Sequence, residues 1–252
     1  MLLTIDVGNS NIKFGVYEGE TLKLISRVAT DKSKLEDEYA IEIKAMLALY
    51  RVEPEDIDCA VIGSVVPAVT QSLRRAARKL FGVEALVVKP NTNPELLATE
   101  NPEEVGADWI MAATAAKARY GAPCIIADMG TATKLIVIDK NGKMIGGSII
   151  PGLGISINAL FSEAALLAAV NLETPEKVIG DNTVNCIQSG AIYGSAAMLD
   201  SLFDRMEEEL GYPCEVVATG GLAELVVKSC KREVVYDETL LLDGLRLIFA
   251  NS

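Results

Sequence analysis

Apolar and polar residues alternate with two different periodicities along the first half of the chain. Short apolar runs bounded by Gly, Asn and acidic residues predict strands, whereas apolar positions three or four residues apart predict helices. The predicted strands are 2–5, 12–17, 21–29, 59–63 and 85–88, and the predicted helices are 34–50 and 67–80. The order is βββαβαβ, which indicates an α/β unit.

The second half repeats this opening and adds helices to it. The predicted strands are 124–127, 135–138, 144–150, 215–219 and 234–235, and the predicted helices are 107–120, 155–167, 184–210, 222–230 and 239–249. The helical pair at 155–167 and 184–210 has no counterpart in the first half. It is interpreted either as an inserted pair with a surface role or as ordinary core helices.

The first strand delivers an aspartate to a short polar turn. The stretch is made of Asp6, Val7, Gly8, Asn9, Ser10, Asn11, Ile12 and Lys13. A carboxylate beside small polar side chains and backbone N–H groups suits a phosphate whose charge is shared with Mg²⁺. Lys13, on the returning strand, would reach back to the same phosphate. Taken alone, the stretch is equally typical of an ordinary β-hairpin turn.

A second copy of this turn favours the functional interpretation. Asp128 to Thr133 again follows an apolar strand and precedes two more, 122 residues after the first copy in a chain of 252. An internal duplication is more specific than either copy alone. Two facing Asp-x-Gly turns would hold a nucleoside triphosphate between them, with Asp6 and Asp128 as candidate metal ligands.

Composition excludes several classes of function. The net charge of −12 and pI near 4.6 argue against nucleic acid, which is bound by neutralising phosphates with Lys and Arg. The chain has no histidine, so Ser-His and Cys-His triads are excluded and acid–base chemistry falls to carboxylates.

Location is predicted from cysteine usage and from hydropathy. Five scattered cysteines without a C-x-x-C pair favour reduced thiols, with Cys59 and Cys124 as core residues. No apolar run reaches the roughly 18 residues that span a bilayer, and no basic-then-apolar leader is present. We therefore expect a cytoplasmic protein without a membrane partner.

Several stretches together resemble a known family. They are Asp6 to Lys13, Ser64 to Pro67, Asn101 to Asp108, Asp128 to Thr133, Gly146 to Gly152, Asn182-Thr183, Gln188 to Gly190, and Ala218 to Gly221. They are similar to motifs of the actin, sugar kinase and Hsp70 superfamily of ATP-binding folds. Within that superfamily the chain resembles the type III pantothenate kinases.

The resemblance implies a fold and an activity. The fold is α/β, with duplicated actin-like (ribonuclease H-like) βββαβαβα halves at 1–118 and 119–252 and the nucleotide in the cleft between them. The activity is ATP-dependent phosphorylation of pantothenate to 4'-phosphopantothenate, the first step of coenzyme A biosynthesis. The implied cofactors are ATP, Mg²⁺ and a monovalent cation, K⁺ or NH₄⁺. The inserted helices imply a homodimer.

The resemblance also implies roles for individual residues. Asp108 would be the catalytic base, although a carboxylate in the first turn of a helix is also explained by the helix dipole. The residues expected to contact the acceptor are Gly106, Ala107, Asp108, Trp109 and Thr183, the last from the partner subunit. Thr131 would contact phosphate, and Gly220 and Gly221 would border adenosine.

Two positions depart from the family pattern. Trp109 stands where the family has an arginine that meets the pantothenate carboxylate, so a neutral indole replaces a bidentate donor. Lys134 stands where the family commonly has threonine. Aligning the two turns by their aspartates puts Lys134 opposite Ile12. Its ammonium is expected to reach Asp128 in place of the monovalent cation, to contact the phosphates, or to extend into solvent.

Trp109 also leaves a second hypothesis open. The chain would then be a catalytically altered nucleotide-binding paralogue, with a different acceptor or a regulatory role.

Overall fold

The computed structural model describes residues 1–164, 167 and 169–252, which form two compact units. The first unit contains Met1–Ala115 together with Thr239–Ser252, and the second contains Ala116–Glu238. Each unit is built on one five-stranded sheet. The chain therefore passes twice between the units.

The elements follow the predicted order closely. The strands are β1 Leu2–Val7, β2 Asn11–Glu18, β3 Thr21–Ala29, β4 Cys59–Ser64, β5 Leu86–Val87, β6 Cys124–Met129, β7 Ala132–Ile138, β8 Met144–Pro151, β9 Glu215–Thr219 and β10 Val235–Tyr236. The helices are α1 Glu36–Leu49, α2 Pro67–Phe81, α3 Ala107–Tyr120, α4 Leu153–Glu163, α5 Thr183–Leu210, α6 Ala223–Val227 and α7 Leu240–Ala250.

The first sheet has the strand order β3-β2-β1-β4-β5. β1 runs antiparallel to β2 and parallel to β4. Because side chains alternate across a strand, Leu3, Ile5 and Val7 share one face, where they join the core formed with α1 and α2. The opposite face carries Thr4 and Asp6 and packs against α7.

The second sheet has the order β10-β9-β6-β7-β8, which matches the first strand for strand. β6 pairs antiparallel with β7 and parallel with β9, as β1 does with β2 and β4. One face packs against α5 and α6 through a core that includes Ile125, Leu135 and Phe203. The predicted α/β fold with a duplicated unit is confirmed.

The predicted elements differ from the observed ones mainly in where they begin and end. α4 ends at Glu163, whereas 155–167 was predicted to be helical; residues 165 and 166 of that prediction lie outside the described part of the chain. α6 has five residues where 222–230 was predicted. The polar segment after β5 contains short 3-10 turns at Pro90–Thr92, Pro94–Leu96 and Pro102–Glu104, each opened by a proline that fits the first helical position.

Within the first unit, α7 crosses α3 at very close range. A Cβ added at Gly244 of α7 would lie 2.1 Å from the carbonyl oxygen of Met111 in α3. Side-chain carbons do not approach backbone that closely, so this crossing requires glycine. Across the described residues, no helix combines the length and the apolar character needed to cross a membrane.

We expect Gly244→Ala to lower the free energy of unfolding by about 2 kcal/mol, because the two helix backbones must separate to admit one methyl group. Urea unfolding followed by circular dichroism measures the change. The matched control is Gly154→Ala in α4, where an added Cβ meets nothing within 4 Å. Alanine should be neutral or slightly stabilising there, by about 0.5 kcal/mol. Equal effects of the two substitutions would contradict the close crossing.

Candidate functional site

The first aspartate turn is a tight hairpin between β1 and β2. Asp6 pairs across the strands with Lys13, and the Gly8 N–H closes the turn by donating to the Asn11 carbonyl at 3.0 Å. Gly8 does not have a positive φ, but an added Cβ would lie 3.2 Å from that same carbonyl. Its role is therefore close approach rather than a left-handed backbone.

Thr30, which follows β3, makes two hydrogen bonds to the backbone of this turn. Its hydroxyl donates to the Gly8 carbonyl at 2.7 Å, and its backbone N–H donates to the Ser10 carbonyl at 3.0 Å. A threonine just after β3 carries no sequence signal for such a contact. It limits how far the polar turn can move.

The second aspartate turn has the same geometry with one residue fewer. The Gly130 N–H donates to the Ala132 carbonyl at 3.1 Å, two residues ahead, where Gly8 reaches three residues ahead. Because the turn is shorter, Asp128 pairs with Lys134 in the register. The prediction that Lys134 stands opposite Ile12 is thus wrong: Lys134 is the counterpart of Lys13.

Lys134 and Asp128 form a buried ion pair. The lysine Nζ lies 2.5 Å from the aspartate Oδ2, and the two side chains are only 15% and 6% exposed. The prediction that the ammonium reaches this carboxylate is confirmed, and the alternative of a lysine extending into solvent is wrong. Removing one partner of such a pair is strongly destabilising, because it leaves an uncompensated buried charge.

Neighbouring segments pack directly against the second turn. A Cβ added at Gly152 would lie 2.3 Å from the Thr131 carbonyl oxygen, and one added at Gly220 would lie 2.4 Å from that of Met129. Gly220 also has φ 107°, which favours glycine. The exposed turn that contains Thr131 is therefore bordered by two backbone segments that tolerate no side chain.

Thr219 is a further polar residue that the sequence analysis did not single out. It pairs with Asp128 on the adjacent strand, so both side chains lie on the same face of the sheet. It is fully buried, and its hydroxyl has no hydrogen-bond partner among the described residues. A polar atom of this kind is satisfied by an ordered water or a bound group.

Asp108 lies in the first turn of α3 and folds back over its start. Its Oδ1 accepts a hydrogen bond from the Trp109 backbone N–H at 3.0 Å. A Cβ at Gly106 would lie 2.4 Å from that oxygen, so the glycine makes room for the carboxylate. Ala107 is buried, whereas Asp108 and Trp109 are half-buried.

Thr183 begins α5 in the second unit. The Asn182 side chain caps this helix by accepting from the Asn185 N–H at 3.0 Å. Thr183 lines an apolar cavity of about 770 Å³ between α4, α5 and the sheet, which is also lined by Met129 and Thr133 of the second turn. The cavity therefore adjoins the second turn on the sheet face opposite Asp128.

The predicted site residues divide between the two units. The first unit holds residues 6–13 and 106–109, and the second holds Asp128, Thr131, Lys134, Thr183, Gly220 and Gly221. In the described part of the chain no three His, Cys, Asp or Glu residues cluster as metal ligands.

Burial makes Cys124 and Cys214 unreactive thiols. Cys124 is fully buried, which confirms its predicted place in the core, and Cys59 is half-buried. Burial raises the pKa of the Cys124 thiol to about 12 and that of the Cys214 thiol to about 11. Such thiols remain protonated and unreactive at neutral pH.

Comparison with known proteins shows the family. The family model for type III pantothenate kinase matches residues 2–205. A type III pantothenate kinase of Roseiflexus castenholzii is 46% identical over 250 residues, covering 99% of this chain and 98% of that protein. The chain belongs to the type III pantothenate kinase family.

Solved structures share the fold at much lower identity. A putative Baf family transcriptional activator from Campylobacter jejuni has a TM-score of 0.62 at 17% identity, covering 99% of this chain and 98% of its own. A putative 2-dehydro-3-deoxygalactonokinase from Sinorhizobium meliloti has a TM-score of 0.63 at 10% identity, covering 100% and 96%. These similarities support the duplicated actin-like α/β fold.

Proposed function

We propose that the chain is a kinase that transfers the γ-phosphoryl group of ATP to the hydroxyl of pantothenate, forming 4'-phosphopantothenate at the start of coenzyme A biosynthesis. The observation that carries this proposal is the full-length match to the family, joined to an aspartate turn repeated in each unit. A thermal shift with ATP and Mg²⁺, followed by a coupled assay of ADP release with pantothenate, tests it.

Each turn supplies part of the phosphate site in this proposal. Residues 8–13 and Thr131 contact phosphate oxygens through N–H, hydroxyl and ammonium donors, and Gly220 and Gly221 border the adenosine. Asp6 fits Mg²⁺, since this ion is commonly held by one or two carboxylates plus substrate phosphates. When bound, Mg²⁺ neutralises charge on the phosphates.

Asp108 is proposed to accept the proton of the pantothenate hydroxyl as the phosphoryl group is transferred. The hydrogen bond from the Trp109 N–H to Oδ1 orients the carboxylate at the start of α3. Gly106, Ala107, Trp109 and Thr183 complete the acceptor site. Thr183 acts there from the partner subunit.

Asp128 does not fit a captured monovalent cation. The Lys134 ammonium already lies 2.5 Å from its carboxylate, and the pair is buried. We propose that this lysine supplies the single positive charge that K⁺ or NH₄⁺ would otherwise bring. A tethered charge also avoids the entropy cost of capturing an ion from solution.

The proposed assembly is a homodimer formed through the second unit. Large apolar side chains are exposed on and near α4 and the start of α5, with Ile149 68%, Ile155 48% and Val184 44% exposed. Exposed large apolar side chains are a feature of interaction sites when they lie together. Sedimentation equilibrium at micromolar concentration should give twice the chain mass, and a monomer would contradict the assembly.

The proposed location is the cytoplasm, since all five cysteines are free thiols and reducing compartments favour that state. Membrane and nucleic-acid partners are not part of the proposal. At a net charge of −12, an anionic polymer would be repelled.

Trp109 favours one alternative, a nucleotide-binding paralogue with a different acceptor or a regulatory role. Indole offers one neutral donor where a guanidinium would bind a carboxylate through two charge-assisted bonds. ATP binding without ADP release at millimolar pantothenate would support this alternative over the kinase.

We expect Asp108→Asn to lower kcat by at least about 100-fold, because the amide cannot accept the hydroxyl proton. The affinity for ATP should stay within about twofold, since the substitution keeps an oxygen for the Trp109 N–H. The matched control is Glu104→Gln, an exposed carboxylate in the preceding 3-10 turn, which should leave kcat unchanged. Full activity of Asp108→Asn would rule out its role as the base.

We expect Trp109→Arg to raise kcat/KM for pantothenate by about tenfold, the gain from one regained charge-assisted hydrogen bond. The KM for ATP should be unchanged. Trp109→Leu removes the indole without adding charge and should bring no gain. An equal or lower kcat/KM in the arginine variant would show that the acceptor carboxylate is met elsewhere.

We expect turnover and ATP affinity to be insensitive to exchanging K⁺ for Na⁺ at constant ionic strength, because Lys134 occupies the cation position. Lys134→Thr should then introduce a requirement for K⁺. Lys140→Thr, at an exposed position in the β7–β8 turn, is the control and should leave the salt response unchanged. Strong K⁺ dependence of the unsubstituted protein would contradict the replacement.

A further inference from the structure

A segment without helix or strand runs beside the start of α5 in the second unit. This segment, residues 171–181, is called the strap here. Side chains of α5 donate hydrogen bonds to strap carbonyls at four places. The pairs are Gln188 Nε2 to Asn171 at 2.8 Å, Tyr193 hydroxyl to Pro175 at 2.8 Å, Ser189 hydroxyl to Val178, and Cys186 Sγ to Gly180 at 3.4 Å.

The end of the strap packs closely against the first turn of α5. A Cβ added at Gly180 would lie 2.5 Å from the Cys186 backbone nitrogen, so backbone meets backbone. The Asp181 Oδ1 accepts from the Asn185 side chain at 3.0 Å, one residue before the Asn182 cap. The strap and the N-terminal turn of the helix are therefore one unit of structure.

Two neighbouring faces of α5 contact the strap and the apolar cavity. Asn185, Ser189 and Tyr193, spaced four residues apart, lie on one helical face and hold the strap. Residues 183, 187, 190 and 194 line the apolar cavity, and Cys186, which also bonds to the strap, lines it as well. Because the same helix serves both, the strap contacts limit how the helix rotates about its axis and where Thr183 is held.

The strap contacts are specific rather than generic packing. Most strap residues are exposed, yet four of the strap carbonyls accept hydrogen bonds from side chains of α5. Gln188 and Ser189 are both buried although polar, which is costly unless they are bonded. The Gln-Ser pair noted in the sequence thus has a physical role away from the cavity.

We infer that Gln188, Ser189 and Tyr193 are positioning residues for acceptor binding: by fixing the strap they hold the N-terminus of α5, and with it Thr183, in the geometry that pantothenate meets. This inference rests on the proposed function, because it takes Thr183 to be part of the acceptor site. It predicts a selective effect on the acceptor and none on the nucleotide.

The experiment uses Ser189→Ala and Tyr193→Phe, singly and together, each of which removes one hydroxyl donor. Amide hydrogen exchange of Asn185 and Cys186, whose N–H groups bond to Asn182 at the start of α5, should accelerate about fivefold for each lost strap bond. The KM for pantothenate should rise at least about fivefold in the double variant, while kcat and the KM for ATP stay within about twofold. Ser189→Thr keeps the hydroxyl and should restore both readouts.

The control is Ser201→Ala, an exposed position further along α5, which should change neither readout. Unchanged exchange in the double variant would overturn the inference, because the start of α5 would not depend on these bonds. Faster exchange with an unchanged KM for pantothenate would also overturn it, while leaving the kinase intact. Absence of pantothenate turnover in the unsubstituted protein would overturn the proposed function itself, and the acceptor role of the strap with it.

Discussion

The pairing of Asp128 with Lys134 across a tight hairpin is the constraint on which the second sheet depends. In the second unit the carboxylate is almost inaccessible, and a buried charge costs several kcal/mol unless a partner compensates it. Only one strand register places Lys134 opposite Asp128, and a slip by one residue would send the lysine to the other face. The ion pair and the hairpin register therefore depend on each other.

Two neighbouring segments pack closely against the second hairpin. Gly152 approaches it from the end of β8 and Gly220 from the end of β9, each so closely that no side chain fits. The first hairpin is held differently, by the side chain and backbone of Thr30. The two turns are thus alike in pairing an aspartate with a lysine but differ in their surroundings.

Much of this structure follows from local sequence signals. Apolar runs ending in Asp-x-Gly located β1 and β6, and helical spacing located α1, α2, α3 and α5 within a few residues. The strand register of Lys134 is harder to predict, because aligning the two turns by their aspartates ignores that the second turn is one residue shorter. The contacts of Thr30 and Thr219 could not be predicted, since each joins residues distant in sequence through hydrogen bonds or a shared sheet face. The strap contacts join residues only 4 to 18 positions apart, but a segment without helix or strand has no periodicity that predicts them.

Charge balance explains why the lysine at position 134 is compatible with a phosphate site. At a net charge of −12 the protein repels a triphosphate at long range, so attraction has to come from local donors. An unpaired Asp128 would add to that repulsion, whereas the Asp128–Lys134 pair has no net charge. The backbone N–H groups of the turn can then attract a phosphate. A bound monovalent cation would neutralise Asp128 in the same way, but the fraction of sites it occupies would vary with the salt concentration. The Lys134 ammonium is covalently attached, so its presence does not depend on salt.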